Sequence, residues 1–471
     1  MLFKSVKVKI FLTVFLVYLF YIAPNYIAAN TYRYVMLARA VADDGTFNID
    51  KEADNTRDRS SYGEHYYIGA APGLGLTAVP LYMVLKPVIG AMPGVVYRDH
   101  GTSVLNLFFT FFFSLLPGAL IAVLLYEVLQ QFELDDNDRI LIVLASAFGT
   151  ILFYYSTKFT AHTMGAFLLF SAFHIFFISR YRPVPPRSYF IAGLCLGSAV
   201  LFEYTLAIAS GLLAIYSMIN IRKVKLSHYL LLGSGISLMA LAFMSYHYAC
   251  FENPFALATT YSRMVGPIPF AFPQPKIIFE LTFGTYRGIF MYMPVLLAGA
   301  YGLFVFYRKP IKEYIPEVIL ISLICPAIFM AVALFCNKVW PWGGDFGPRF
   351  FICFVPFLMI PAAFARKALG YRILFWISAV SIFINWCGVQ YGDADSVFTD
   401  IGLFIFMGLN SNLAEWAYGI TNGCIRKLNV ITHFSPLLLF VALLAVIYII
   451  WKDEIDGRIR FHFCKKTGMV T

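Results

Sequence analysis

A dozen apolar runs, each roughly 15–25 residues long and divided from the next by a short polar or charged segment, decide what this chain can fold into. They fall at about 10–28, 103–127, 140–155, 164–179, 189–203, 205–219, 229–249, 289–307, 315–335, 350–365, 373–390 and 434–451. A helix of about 20 apolar residues covers the hydrocarbon thickness of a bilayer. The runs therefore predict an all-α polytopic membrane protein of about twelve transmembrane helices, with residues 1–471 as one transmembrane domain. Composition agrees, because only 13% of residues are charged and mean hydropathy is +0.73, against about 25% charged in soluble domains.

The net charge of +10 does not point to nucleic acid, since Lys and Arg lie in short clusters between apolar runs and not along one face. They act as topology signals. The eight cysteines stand singly without CxxC spacing, so neither a disulfide framework nor a zinc site is indicated, and they read as packing residues. Lys4, Lys7 and Lys9 followed by the apolar stretch Ile10–Ala23 resemble a signal peptide as well as a first helix; with so many spans following, an uncleaved anchor is expected.

The positive-inside rule places both termini in the cytoplasm, provided that Gly69–Gly90 does not cross. That segment is apolar enough to span, yet holds Pro72, Gly73, Gly75, Pro80, Lys86 and Pro87. Kept at the surface, it leaves 21 of the 36 basic residues inside. One acidic stretch, Glu133, Asp135, Asp136 and Asp138, then also lies inside with only Arg139 beside it. Large extracytoplasmic loops follow at 29–102, 250–287 and 391–433, with a shorter one near Cys336–Arg349.

Ionised groups are costly within a bilayer and here fall almost entirely outside the apolar runs. The first loop concentrates seven acids between Asp43 and Glu64. A carboxylate there can be a general base for a hydroxyl acceptor or can simply solvate the loop. Asp58, between Arg57 and Arg59, suits a base or a metal ligand, with Asp50 and Asp44 behind it. Tyr32–Val41 has the pattern of an amphipathic helix lying in the interface. At the third loop Trp342-Gly343-Gly344-Asp345-Phe346-Gly347-Pro348-Arg349 mixes aromatics, glycines that let backbone approach a ligand, and an arginine able to grip a phosphate. Lys158, His162 and Glu203 fall on the same side.

The acid-bearing first loop after a juxtamembrane helix, the Gly63-Glu64-His65-Tyr66-Tyr67 stretch leading into Ala71-Pro72-Gly73, and Trp342–Arg349 together resemble the GT-C class of membrane glycosyltransferases, near the protein O-mannosyltransferases and the lipid A aminoarabinose transferase. The resemblance runs from the first helix to about Phe351. It implies a GT-C-like bundle with juxtamembrane helices in the first loop, a sugar taken from a polyprenyl-phosphate carrier, and a lipid, glycan or protein hydroxyl as acceptor on the outer face of a bacterial cytoplasmic membrane. Its implied sites are Asp58, Asp50 and Asp44 for catalysis, Arg349, Lys158 and His65 for the donor phosphate, and Trp342, Asp345, His162, Glu203 and Tyr67 for substrate. A divalent metal ion is the one cofactor left open. The chain departs from the class at Asn30-Thr31, where relatives carry an acidic pair, and at Ala70, where a lysine is common. A transporter or flippase, or a polymerase or ligase of lipid-linked glycans, are the competing readings.

Overall fold

The computed structural model describes residues 5–26, 28–91, 98–220, 224–262, 272–336, 345–392, 396–414 and 436–467. The chain begins with α1 (Val6–Phe20) and the juxtamembrane helix α2 (Ala29–Arg39), followed by a hairpin of β1 (Arg59–Tyr62) and β2 (His65–Ile68), then α3 (Gly73–Gly90). Next come α4 (Arg98–Thr110) and α5 (Leu116–Leu129), joined through a π-turn, α6 (Asp136–Phe148), α7 (Leu152–Ser156) and α8 (Ala161–Ile178). The bundle continues through α9 (Pro186–Phe202), α10 (Ala207–Ser217), α11 (Leu226–Phe251), α12 (Pro275–Phe283) and α13 (Ile289–Tyr292). It ends with α14 (Leu296–Arg308), α15 (Ile315–Cys336), α16 (Val355–Met359), α17 (Ala362–Tyr391), α18 (Val397–Met407) and α19 (Pro436–Thr467). Among the described residues seven helices are long and apolar enough to cross a membrane, and shorter apolar helices fill the bundle between them.

Polar side chains sort to the two ends of this bundle. At one end, which carries the basic clusters, Lys7 pairs with Glu127 at 2.6 Å, Lys9 with Glu454 at 2.5 Å, Arg366 with Asp138 at 2.6 Å, and Arg180 with Glu317. The acidic stretch that charge counting left unexplained belongs here: Glu133 meets Lys367, and the Asp135 side chain caps α6 through Asp138 N–H at 2.8 Å. The Lys367 ammonium holds the exposed Glu133 carboxyl below its ordinary range. Sequence reading had kept ions out of the spans; Lys9, Glu127, His174 and Glu317 sit within helices, each paired. The other end collects the first loop, the α9–α10 break at Glu203, and the segment after Asp345.

Gly69–Gly90, expected to stay at the surface, contains a helix that meets the length and hydropathy of a span. Its contacts keep it with the first loop. Gly75 lies against Leu37 of α2, and Lys86, near the last turn, pairs with Asp43 at 2.8 Å. Burial raises the Asp43 carboxyl, but hydrogen bonds from Lys86 and Tyr82 carry it below its usual value. The following helix is already at the same end, because Arg39 donates to Thr102 and Ser103 to Asn25. The run at 350–365 forms a 3-10 turn (Arg349–Phe354), α16 and the start of α17, and the run at 373–390 forms the part of α17 beyond a break at Gly370 (φ 78°).

Two apolar cores result. The larger fills the bundle, and a smaller one under the first loop joins Leu37, Leu74, Phe109, Phe159, Phe202 and Phe251. Tight backbone approach holds α9 to α11, where a Cβ on Gly193 would stand 2.2 Å from the Leu232 carbonyl oxygen. Gly193→Val is expected to lower the melting temperature of purified protein by several degrees, consistent with an overpacking cost of about 1–3 kcal/mol. Exposed Glu64, at the hairpin turn, and exposed Arg182, after α8, mark opposite ends. Cysteines placed at the two positions are expected to react with an impermeant maleimide from opposite sides of the membrane; labelling from one side would overturn the topology.

Candidate active site

The polar centre of the loop end is the carboxylate of Asp345. Tyr26 Oη and Asn30 Nδ2 donate to it, the latter at 3.2 Å, and Arg349, four residues on, pairs with it. Tyr26 and Asn30 belong to the elbow between α1 and α2, so this cluster ties the first loop to the Asp345–Phe354 segment. Buried Arg287 closes it from a third direction, donating to the carbonyls of Asp345 and, at 2.5 Å, Gly347. Gly347 adopts φ +64°, and a Cβ there would meet Tyr292 at 2.9 Å. Its glycine therefore serves a left-handed turn packed on Tyr292, and the residue also lines the pocket described next.

A small pocket opens on this segment. Arg287 and Arg349 supply its charge, and Leu281, Val332, Phe350 and Phe351 line it with apolar surface. Arg349 Nε is buried with no hydrogen-bond partner among the described residues. A buried donor without an acceptor is costly, by about 1–3 kcal/mol.

Beside it lies a second layer. His162, at the start of α8, bonds through Nδ1 to Glu203 Oε2 at 2.9 Å, while Thr205 Oγ1 donates to Glu203 Oε1 at 2.9 Å. The His162 ring packs edge-on to Phe350 at 5.1 Å between centroids. On α2, Arg33 pairs with Asp58 and donates to Tyr34 Oη at 3.1 Å. Burial works against the Arg33 charge, but Asp58, Tyr34 and Tyr204 together outweigh it and the guanidinium pKa is raised. Tyr34 lies within electrostatic reach of Glu203, which joins this pair to the His162 layer.

The sequence-derived candidates divide accordingly. Asp58, Asp345, Arg349, His162 and Glu203 converge. Lys158 is buried nearby, its ammonium 3.5 Å from the Tyr154 ring centroid and 5.3 Å from that of Tyr26, so its observed neighbours are aromatic faces. Asp50 and His65 do not join the cluster: Asp50 accepts from Tyr66 N–H and from the His65 ring, both at 2.7 Å, and so fastens the hairpin. Asp44 pairs with Lys51 on the loop surface. Tyr67 packs on Phe251 under the hairpin. Trp342 lies outside the described residues. Tyr26, Asn30, Arg33 and Arg287 were not singled out from sequence; the isolated Arg287 in Gly284-Thr285-Tyr286-Arg287-Gly288 was the signal available. Among the described residues no three of His, Cys, Asp and Glu gather as a metal ion would require.

Taken together, the bundle and its juxtamembrane helix have a GT-C fold. The sequence matches no family model and no curated protein. Among solved structures the chain is similar to ArnT from Cupriavidus metallidurans bound to undecaprenyl phosphate, with 12% identity, TM-score 0.50, and coverage of 95% of this chain and 72% of that one. An oligosaccharyltransferase from Archaeoglobus fulgidus, in complex with zinc and sulfate, aligns at 14% identity and TM-score 0.47 over 80% of this chain and 51% of that one.

The Asp345–Arg349 pair is open to a double-mutant cycle. Asp345→Asn alone is expected to cost about 3 kcal/mol by leaving a buried guanidinium uncompensated, and Asp345→Asn with Arg349→Met less than the sum of the singles. Strict additivity in thermal unfolding would show that the two do not interact.

Proposed function

We propose that this chain is a membrane glycosyltransferase that moves a sugar from a polyprenyl-phosphate donor to a hydroxyl of a lipid, glycan or protein on the extracytoplasmic face. The observation that carries the reading is the pocket that pairs Arg287 and Arg349 with apolar walls. A lipid phosphate presents that combination, a charged head on a hydrocarbon chain, whereas a nucleotide donor would call for polar recognition of a base and ribose. The similar fold of a transferase bound to undecaprenyl phosphate supports it. The loop end would face outward and both termini inward, in a bacterial cytoplasmic membrane, consistent with the basic residues gathered at the other end.

In the proposed reaction the acceptor oxygen attacks the anomeric carbon from the face opposite the lipid phosphate, and the bond from that carbon to the phosphate oxygen breaks with inversion. Arg349, held by Asp345, meets the charge that grows on the departing phosphate. Arg287 fixes the turn that carries Arg349. In this reading Asp58, paired with Arg33 on the juxtamembrane helix, serves the acceptor.

Arg349→Ala is expected to reduce transfer from a polyprenyl-phosphate sugar in liposomes by about 10²–10³-fold, with normal expression, as for loss of one charge-stabilising donor. Asp58→Asn is expected to slow the same assay. Wild-type rates in both variants would remove the assignment.

A further inference from the structure

The step above needs a group to take the acceptor proton, and the first-loop carboxylates are poorly disposed for it. Asp58 is shared with Arg33, Asp44 with Lys51, and Asp50 with the hairpin. Each is committed on at least one oxygen to a neighbour that fastens the loop.

His162 is differently placed. An ionised carboxylate has no proton to give, so the 2.9 Å contact to Glu203 requires His162 Nδ1 to be the protonated nitrogen. In the neutral ring Nε2 is then the lone-pair acceptor. Nε2 makes no hydrogen bond among the described residues, and it is not one of the sealed polar atoms of the interior. Glu203 cannot turn away easily, because its second oxygen is held by Thr205 and the residue is only 7% exposed. The arrangement is that of a base oriented by a buried carboxylate, with the reactive nitrogen left open. It also stands next to the donor pocket, since the imidazole packs on Phe350, a wall of that pocket and the neighbour of Arg349 in sequence.

We propose that His162 is the general base of the transfer and that Glu203 is its positioning residue. This rests on the glycosyltransferase reading. The acceptor O–H proton moves to His162 Nε2 as the acceptor oxygen bonds to the anomeric carbon. The electron pair of the broken anomeric bond leaves on the lipid phosphate, and the imidazolium returns its proton to water, so charge and atoms balance without a further reactant.

The test uses the full chain in liposomes with a polyprenyl-phosphate sugar donor, and binding of undecaprenyl phosphate as a separate readout. His162→Ala is expected to lower kcat by about 10²–10⁴-fold with the donor KM unchanged within about threefold. Added imidazole should restore part of that rate. His162→Gln, which keeps a donor toward Glu203 but carries no base, should be as slow as the alanine variant. Glu203→Gln should lower kcat, and Glu203→Asp should recover part of it. A His162→Gln enzyme at wild-type kcat overturns the proposal, as does a slow His162→Ala enzyme that binds undecaprenyl phosphate but gains nothing from imidazole. A wild-type chain that binds the lipid phosphate yet transfers no sugar overturns the functional reading, and the proposal with it.

Discussion

The loop end of this structure depends on one carboxylate. Asp345 gathers Tyr26 and Asn30 from the elbow after the first helix and Arg349 from the segment that leads back into the bundle. Those elements are more than 300 residues apart in sequence. The site's cation and its juxtamembrane helix are thus tied to the same two oxygens. A buried pair of this kind adds little net stability, because desolvation of both charges offsets their attraction. What it supplies is geometry: a guanidinium fixed at the wall of the pocket.

The opposite end is built on different terms. There the ion pairs Lys9–Glu454, Arg366–Asp138 and Arg180–Glu317 join helices to helices, and Tyr216 adds a second donor to Glu317. These contacts clamp the bundle shut where no pocket is needed. The chain thus spreads its polar residues over two ends with separate tasks, recognition at one and closure at the other, with an apolar core between them.

Much of this was legible from the sequence. Apolar run length alone defines the bundle, and the period of Tyr32–Val41 marks the juxtamembrane helix that appears as α2. Trp342–Arg349 was identified by its mixture of glycine, aromatic and charge, and Asp345 and Arg349 do stand at the centre. What the sequence hides is pairing at long range. Nothing adjacent to Asp58 announces that its partner is Arg33 and not Arg57 or Arg59, and nothing near His162 names Glu203, 41 residues away. The hairpin was missed for a local reason: Ser60-Ser61-Tyr62-Gly63-Glu64-His65 reads as a polar loop, and only the positive φ of Gly63 turns it into two paired strands. The acids of that loop look alike by composition and differ only in whether a strand, a lysine or an arginine has already claimed them.

α3 has a consequence for what surrounds the molecule. Gly75 rests on Leu37 of α2 and Lys86 is tied to Asp43, while Met83, Val84 and Val88 remain exposed. These side chains are apolar, so in a bilayer that face of the helix is one for acyl chains, and not water, to cover.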